Sequence, residues 1–216
     1  MYDTILFDLD GTLTNPAEGI TNSVAYALAR YNILVNDKRE LYKFIGPPLS
    51  DSFSQYYGFS KDEALHAVEI YREYFSVKGL FENEVYDGIP ELLESLKAVG
   101  KKVILATSKP EKFALEILKH FDLYKYFDYV CGATMDGRIG EKADVIKYAL
   151  STADIKDLNS TLMVGDRKFD ILGAKEVGIA SLGVLYGFGD RKELEDAGAT
   201  YIAETVGDVL KIIKEQ

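Results

Sequence analysis

The chain has 216 residues, 47% of them hydrophobic and 28% charged, and its 35 acidic side chains against 25 basic ones give a net charge of −10. This length suits one domain, or one domain with a modest insertion, and the acidic balance argues against binding of a nucleic-acid polymer, which requires a basic surface. The single cysteine, Cys131, excludes an intramolecular disulfide and is compatible with a reducing compartment. Because no signal-peptide pattern and no apolar run of membrane-spanning length is visible, we expect a cytoplasmic protein without a membrane partner.

A short apolar strand is predicted at residues 4–7, and the chain then becomes almost wholly helical as far as about residue 83. Asn15-Pro16-Ala17-Glu18 predicts a helix start with Asn15 as the N-cap. Ser60-Lys61-Asp62-Glu63 predicts a capping box that opens a second long helix, and Gly46-Pro47-Pro48 breaks the chain between the two.

Beyond this helical stretch, short apolar strands alternate with helices. The strands are predicted at 102–106, 129–131, 161–164, 181–185 and 201–202, with helices between and after them. Ser108-Lys109-Pro110-Glu111 predicts another capping box, in which Ser108 caps the following helix. Such alternation predicts an α/β fold with a doubly wound, mostly parallel, Rossmann-like sheet. We expect its core to comprise 1–14 and 84–216, and an all-α cap domain to be inserted at 15–83.

Acidic and hydroxyl residues follow several of the predicted strands. They are Asp8 and Asp10, Thr107 and Ser108, and Asp166 and Asp170. Ligands of open parallel sheets bind outside the carboxyl ends of the strands, so these side chains are candidates for one site. Asp8 and Asp10 stand two residues apart on an extended segment and therefore point the same way, and Asp166 can reach them from a neighbouring strand. Carboxylates that converge in this way repel one another unless a hard cation joins them, and such ligands with a substrate phosphate are typical of Mg²⁺.

Four short motifs also follow one another in a fixed order. They are Asp8-Leu9-Asp10-Gly11-Thr12-Leu13, Ala106-Thr107-Ser108-Lys109-Pro110, Gly140-Glu141-Lys142-Ala143-Asp144 and Gly165-Asp166-Arg167-Lys168-Phe169-Asp170. Together they resemble the four motifs of the haloacid dehalogenase superfamily, and the helical insertion resembles the cap of its phosphoglycolate phosphatase-like branch. Ala143 departs from the family pattern, in which a proline often follows the lysine.

The resemblance implies catalytic roles for Asp8, Asp10, Thr107 and Lys142. Asp8 would attack phosphorus and form an aspartyl-phosphate, and Asp10 would protonate the leaving oxygen and later activate water. Thr107 would contact the phosphoryl oxygens, and Lys142 would neutralise the charge of Asp8 and the phosphate. The substrate-binding residues that it implies are Ser108, Gly11 and Thr12.

The resemblance also implies a Mg²⁺ site. Asp8 and Asp166 would supply carboxylates to the ion, and Asp10 would supply its backbone carbonyl. Asp170 would support the metal or its waters from behind.

The function implied most directly is hydrolysis of a small phosphorylated metabolite by a Mg²⁺-dependent phosphatase. A β-phosphoglucomutase-like phosphomutase, and nucleotidase or pyrophosphatase activity, are the alternatives within the same superfamily. A sensor that binds phosphate ligands without turnover is a further alternative, against which the intact pair of Asp8 and Asp10 counts. The oligomeric state is left open.

Overall fold

The computed structural model describes residues 1–216, the whole chain. The chain divides into two compact units, one formed by Met1–Thr14 and Val85–Gln216 and the other by Asn15–Glu84. None of its helices combines the length and the apolar character that crossing a membrane requires. The action of the second unit as a cap stays a prediction.

Eight strands and nine α-helices make up the regular structure. The strands are β1 (Thr4–Phe7), β2 (Thr14–Asn15), β3 (Glu84–Val85), β4 (Lys102–Pro110), β5 (Tyr129–Ala133), β6 (Thr161–Gly165), β7 (Ala180–Val184) and β8 (Tyr201–Ala203). The helices are α1 (Ala17–Arg30), α2 (Leu49–Tyr57), α3 (Lys61–Tyr74), α4 (Ile89–Ala98), α5 (Glu111–His120), α6 (Lys142–Thr152), α7 (Lys168–Val177), α8 (Arg191–Ala197) and α9 (Val206–Glu215). Strands β2 and β3 form a separate two-stranded sheet, and the other six form one larger sheet.

The six-stranded sheet has the order β5-β4-β1-β6-β7-β8, and all of its strand pairs are parallel. The central strand β1 is buried along its whole length, as expected for a parallel strand that is covered on both faces. On one face, Leu6, Ile104 and Met163 from three neighbouring strands join Val145 and Ile146 of α6 in a single hydrophobic cluster. The α/β, doubly wound class predicted from the sequence is confirmed.

The strand order places a topological switch beside β1. From β1 the chain builds outward to β4 and β5, and it then returns to the other side of β1 at β6. Phe7 pairs in register with both Leu105 and Val164, so these three strands approach the same edge of the sheet together. Ligands of open α/β sheets bind at such a point, where the connections diverge to opposite sides.

The second unit is held together by its own aromatic core. Helices α1 and α3 lie in it, with a 3₁₀ helix at Lys38–Phe44 and a π-helical turn at Phe75–Gly79. Phe44 and Phe53 are both buried and meet edge to face, with ring centroids 5.1 Å apart. The capping box of α3 is confirmed, because the Glu63 N–H donates to the Ser60 hydroxyl and the Glu63 carboxylate accepts the Ser60 N–H.

Two predicted helix caps are wrong. Helix α1 has Pro16 as its N-cap, and the Asn15 side chain accepts the Ala17 N–H at 3.1 Å from one position earlier. Ser108 caps no helix, because β4 remains extended through Pro110 and α5 begins only at Glu111.

The competing interactions around α5 explain the error at Ser108. The Glu111 carboxylate, which a capping box would turn back toward Ser108, accepts the Gly132 N–H of the neighbouring strand at 3.2 Å. The Thr107 hydroxyl accepts the Lys109 N–H at 3.2 Å, and the pairing register of β4 with β5 shifts between Thr107 and Pro110.

Candidate active site

The turn after β1 places the first two acidic residues. The Asp8 N–H donates to the Val164 carbonyl at 2.9 Å, which continues the sheet pairing one residue beyond β1. Gly11 then has a φ of 81°, in the left-handed region that favours glycine. A Cβ at Gly11 would lie 2.1 Å from Asp166 Oδ2, so the close approach of the two loops also requires glycine.

Three carboxylates converge at this edge of the sheet. One oxygen from each of Asp8, Asp166 and Asp170 lies within 4.8 Å of the other two. Asp166 follows β6 directly, and Asp170 lies in the first turn of α7. Both are buried, at 0% and 1% exposure. The structure thus brings together the acidic residues that the sequence placed at two different strand ends.

Asp170 has two protein partners of its own. Its Oδ1 lies 2.8 Å from Lys142 Nζ, and its Oδ2 accepts the Arg167 N–H at 3.1 Å. Asp170 lies close enough to Asp8 and Asp166 to share a metal ion with them. Its two protein partners suit the role implied by the resemblance, in which Asp170 supports the metal or its waters.

Lys142 is the central cation of the site. It begins α6 and is almost fully buried, and its Nζ lies 2.8 Å from Asp8 Oδ1. The ammonium also donates to the Ala106 carbonyl at 3.2 Å. Burial disfavours the charged ammonium, but the ion pairs with Asp170 and Asp8 outweigh it and raise the pKa of Lys142, so the side chain stays protonated.

A second lysine at the site, Lys109, is not among the site residues predicted from the sequence. The Lys109 ammonium forms an ion pair with Asp10 Oδ2, and the Lys109 side chain is only 6% exposed. The signal that could have revealed it is its place directly after Thr107 and Ser108, at a strand end that faces carboxylates.

The remaining predicted residues lie near the end of β4 and in the turn after β1. Thr107 and Ser108 both belong to β4, where Thr107 is buried and Ser108 is half-buried. Thr12 is fully buried; its hydroxyl oxygen has no hydrogen-bond partner, and its carbonyl accepts the Tyr186 hydroxyl at 3.1 Å.

The charges of this cluster do not balance. The carboxylates are those of Asp8, Asp10, Asp166 and Asp170, and the ammonium groups are those of Lys109 and Lys142. Burial is the main cause that raises the pKa of Asp166, and the nearby Asp170 charge adds to it. Burial likewise raises the pKa of Asp10, while Lys109 opposes the shift. The charged forms of these acids therefore lack compensation from the protein alone.

An unpartnered oxygen shows where a cation fits. Asp166 Oδ1 belongs to the cluster of Asp8, Asp166 and Asp170, and it is buried without a hydrogen-bond partner, although buried polar atoms normally have one. Oxygen-only donors with several carboxylates suit a hard divalent ion. Such an ion would also supply the two positive charges that four carboxylates and two ammonium groups require.

Comparison with known proteins agrees with this geometry. Residues 5–184 match the family of haloacid dehalogenase-like hydrolases. The chain is 46% identical over 213 residues to a 5′-nucleotidase of Pseudomonas aeruginosa, with 99% of this chain and 96% of the relative covered. It is 36% identical over 200 residues to the tyrosine-protein kinase PtkA of Mycobacterium tuberculosis, with 92% of this chain and 67% of the relative covered.

A solved structure extends the similarity to the whole fold. The crystal structure of a predicted phosphatase from Clostridium acetobutylicum superposes with a TM-score of 0.97 at 49% identity, over 100% of both chains. The resemblance carried by the four motifs is thereby confirmed, and the chain belongs to the haloacid dehalogenase-like hydrolase family.

Proposed function

We propose that this protein is a Mg²⁺-dependent phosphatase that hydrolyses a small phosphate monoester through an aspartyl-phosphate on Asp8. The observation that carries the proposal is the position of the Asp8 carboxylate, 2.8 Å from Lys142 Nζ and within 4.8 Å of the carboxylates of Asp166 and Asp170. The Pseudomonas relative named as a 5′-nucleotidase makes nucleoside 5′-monophosphates the first substrate class to test. A cytoplasmic setting belongs to the same proposal and is compatible with the lone cysteine, Cys131.

The metal site in this proposal uses the unpartnered oxygen of Asp166, Oδ1. Asp8 and Asp166 would hold Mg²⁺ through their carboxylates, and Asp10 would hold it through its backbone carbonyl. Asp170 would support the metal or its bound waters. When bound, Mg²⁺ would neutralise the negative charge that otherwise keeps a carboxylate nucleophile and a phosphate apart. Lys142 assists by holding a positive charge against Asp8 on the protein side.

The proposed reaction has two steps. Before the first step the Asp10 carboxylate takes up a proton from solvent, which its burial favours, and leaves its ion pair with Lys109. In that step a carboxylate oxygen of Asp8 forms a bond to phosphorus while the bond to the leaving oxygen breaks, and Asp10 gives this proton to that oxygen. In the second, Asp10 takes a proton from a water molecule that attacks phosphorus, and the bond between phosphorus and Asp8 breaks. Inorganic phosphate leaves, and both carboxyl groups return to their starting states. Thr107 and the Ser108 N–H would bind the phosphoryl oxygens.

The size of the barrier supports covalent catalysis. Enzymes accelerate phosphate-monoester hydrolysis by up to about 10²¹-fold, whereas general acid–base catalysis contributes typically about 10²- to 10⁴-fold. A proton donor such as Asp10 is therefore insufficient alone, and the nucleophile, the charge neutralisation and the positioning of the substrate must act together.

Lys109 fits this scheme as the partner that orients Asp10. Its buried ammonium fixes the Asp10 carboxylate beside the strand end that carries Thr107. In the proposed reaction, Asp10 exchanges this contact for the leaving oxygen of the substrate.

The first prediction concerns substrate class and nucleophile. The wild-type protein should release inorganic phosphate from at least one member of a panel of nucleoside 5′-monophosphates, phosphoglycolate, sugar phosphates, pyrophosphate, phosphotyrosine and an aryl phosphate. Release should require Mg²⁺ and disappear in EDTA, and Asp8→Asn should abolish it because an amide is a far weaker nucleophile. Asp154→Asn, which changes an exposed carboxylate, is the matched control and should retain activity.

Three outcomes would contradict the proposal. Release of phosphate by Asp8→Asn at the wild-type rate would remove the covalent route. An isomeric phosphate ester as the product, with a bisphosphate intermediate, would favour the phosphomutase. Tight ligand binding without turnover of any ester would favour the sensor.

The second prediction separates the two chemical steps. An aryl phosphate has a leaving group that needs no proton, so Asp10→Asn should still be phosphorylated by it but should hydrolyse the aspartyl-phosphate slowly. Turnover should fall by about 10²- to 10⁴-fold, the usual contribution of general acid–base catalysis. Intact-mass spectrometry after acid quench should then detect one added phosphoryl group on Asp10→Asn and none on Asp8→Asn. If Asp10→Asn turns over slowly without any adduct, Asp10 does not act after a covalent step.

The third prediction tests the buried ion pairs of Lys142. In EDTA at neutral pH, Lys142→Met should lower the free energy of unfolding by about 3–5 kcal/mol, since it leaves the Asp8 and Asp170 charges buried without their cation. Lys147→Met is the matched control on the same helix, because Lys147 is exposed and pairs with Glu176 at the surface, and it should change stability little. Urea denaturation measures both variants. Equal losses in the two would mean that Lys142 does not compensate buried charge.

A further inference from the structure

The loop after β7 packs directly against Asp166. Within residues 186–189, the Phe188 N–H donates to Asp166 Oδ2 at 2.8 Å. The other carboxylate oxygen, Asp166 Oδ1, is buried and has no hydrogen-bond partner. The two oxygens of one buried carboxylate are therefore not equivalent.

We propose that residues 186–189 form a positioning loop, which binds Asp166 Oδ2 through the Phe188 N–H and thereby leaves Oδ1 as the oxygen that takes the divalent cation. This inference rests on the proposed function, in which Asp166 binds a divalent cation. The segment to which it assigns a metal-positioning role lies outside the four motifs. Its residues act on the cation only through Asp166.

Two glycines allow the positioning loop to approach so closely. A Cβ at Gly187 would lie 2.3 Å from the Gly11 carbonyl oxygen and 2.4 Å from Asp166 Cβ. A Cβ at Gly189 would lie 2.0 Å from the Asp166 carbonyl oxygen. Neither glycine has a positive φ, so the requirement for glycine comes from contact and not from backbone conformation. Any side chain at Gly187 must push the loop and Asp166 apart.

The start of the positioning loop is fixed to the rest of its unit. Upstream, the Leu185 N–H donates to the Ala203 carbonyl at 2.9 Å, which holds the start of the loop to β8. The Tyr186 hydroxyl donates to the Thr12 carbonyl at 3.1 Å, and its ring meets Tyr86 edge to face with centroids 5.1 Å apart. The loop is therefore held to the turn that carries Asp10 as well as to Asp166.

A further link follows the loop. The Glu193 carboxylate of α8 accepts a hydrogen bond from Nε of Arg167 and another from the backbone N–H of Lys168, both at 2.8 Å. These bonds hold the two residues after Asp166 to the helix that follows the positioning loop. Asp166 is thus restrained from the side chain and from the backbone by the same part of the chain.

The test compares Gly187→Ala with Gly207→Ala, a glycine in the first turn of α9 whose added Cβ would meet only Thr205 Oγ1, at 3.7 Å. Isothermal titration calorimetry with Mg²⁺ alone, well below the melting temperature, measures the affinity of each protein. Groups that orient metal ligands typically contribute about 10- to 100-fold to affinity, and Gly187→Ala should lose affinity in this range while Gly207→Ala keeps the wild-type value. Melting temperatures in EDTA and in Mg²⁺ provide the second readout, in which the stabilisation by Mg²⁺ should shrink for Gly187→Ala only.

Tyr186→Phe keeps the proposal testable if Gly187→Ala does not fold. It removes the hydroxyl that donates to Thr12 and keeps the ring, so it should fold and bind Mg²⁺ a few-fold more weakly than the wild type. Wild-type affinity in every folded loop variant would overturn the positioning role and leave the proposed function intact. A lack of Mg²⁺ binding by the wild type would overturn both. Equal losses of melting temperature with and without Mg²⁺, at unchanged affinity, would reduce the loop to a structural element.

Discussion

The structure depends on one electrostatic constraint, the concentration of four carboxylates at a single edge of the sheet. Two of them, Asp166 and Asp170, are removed from water, and only two lysines lie among the four. Burial of a charge without compensation costs several kcal/mol in real proteins, so such a cluster is stabilised where another cation offsets it or where a carboxyl group takes up a proton. The imbalance of two charges is the physical reason to expect a divalent ion rather than a further side chain.

The fold brings these groups together through topology. Strand β1 lies between β4 and β6, so the residues that follow each of them meet although they are far apart in the chain. Helix α6 then adds Lys142, which passes close to α7 because Gly173 has no Cβ; one there would lie 2.9 Å from Lys142 Cγ. The hydrophobic cluster that includes Leu6 and Met163 contributes favourable free energy of burial. This contribution offsets the cost of burying the charged groups at the edge of the sheet.

Much of this site could be predicted from the sequence because its residues follow recognisable strands. Asp8 and Asp166 come directly after apolar runs whose parallel pairing places them side by side. The ion pair between Asp10 and Lys109 could not be predicted in this way, since it joins residues 99 positions apart and depends on how β4 extends beyond its apolar run. The wrong cap at Ser108 has the same origin, because a local capping pattern lost to pairing with the adjacent strand.

The contact of residues 186–189 with Asp166 could not be predicted from local sequence patterns either. No periodic or capping pattern includes Gly187 or Gly189, and only the three-dimensional approach of Asp166 shows that neither has room for a Cβ. Pattern-based reasoning detects residues that alternate or cap, whereas close approach between distant segments leaves no period in the sequence.

The most direct test of the charge-balance account is a crystal structure grown with Mn²⁺ and no substrate, with the ion located by its anomalous scattering. The account predicts a single ion at the end of β1, in contact with Asp8 and with Oδ1 of Asp166. An ion bound elsewhere would contradict it, as would a cluster that stays free of metal at saturating Mn²⁺ and neutral pH.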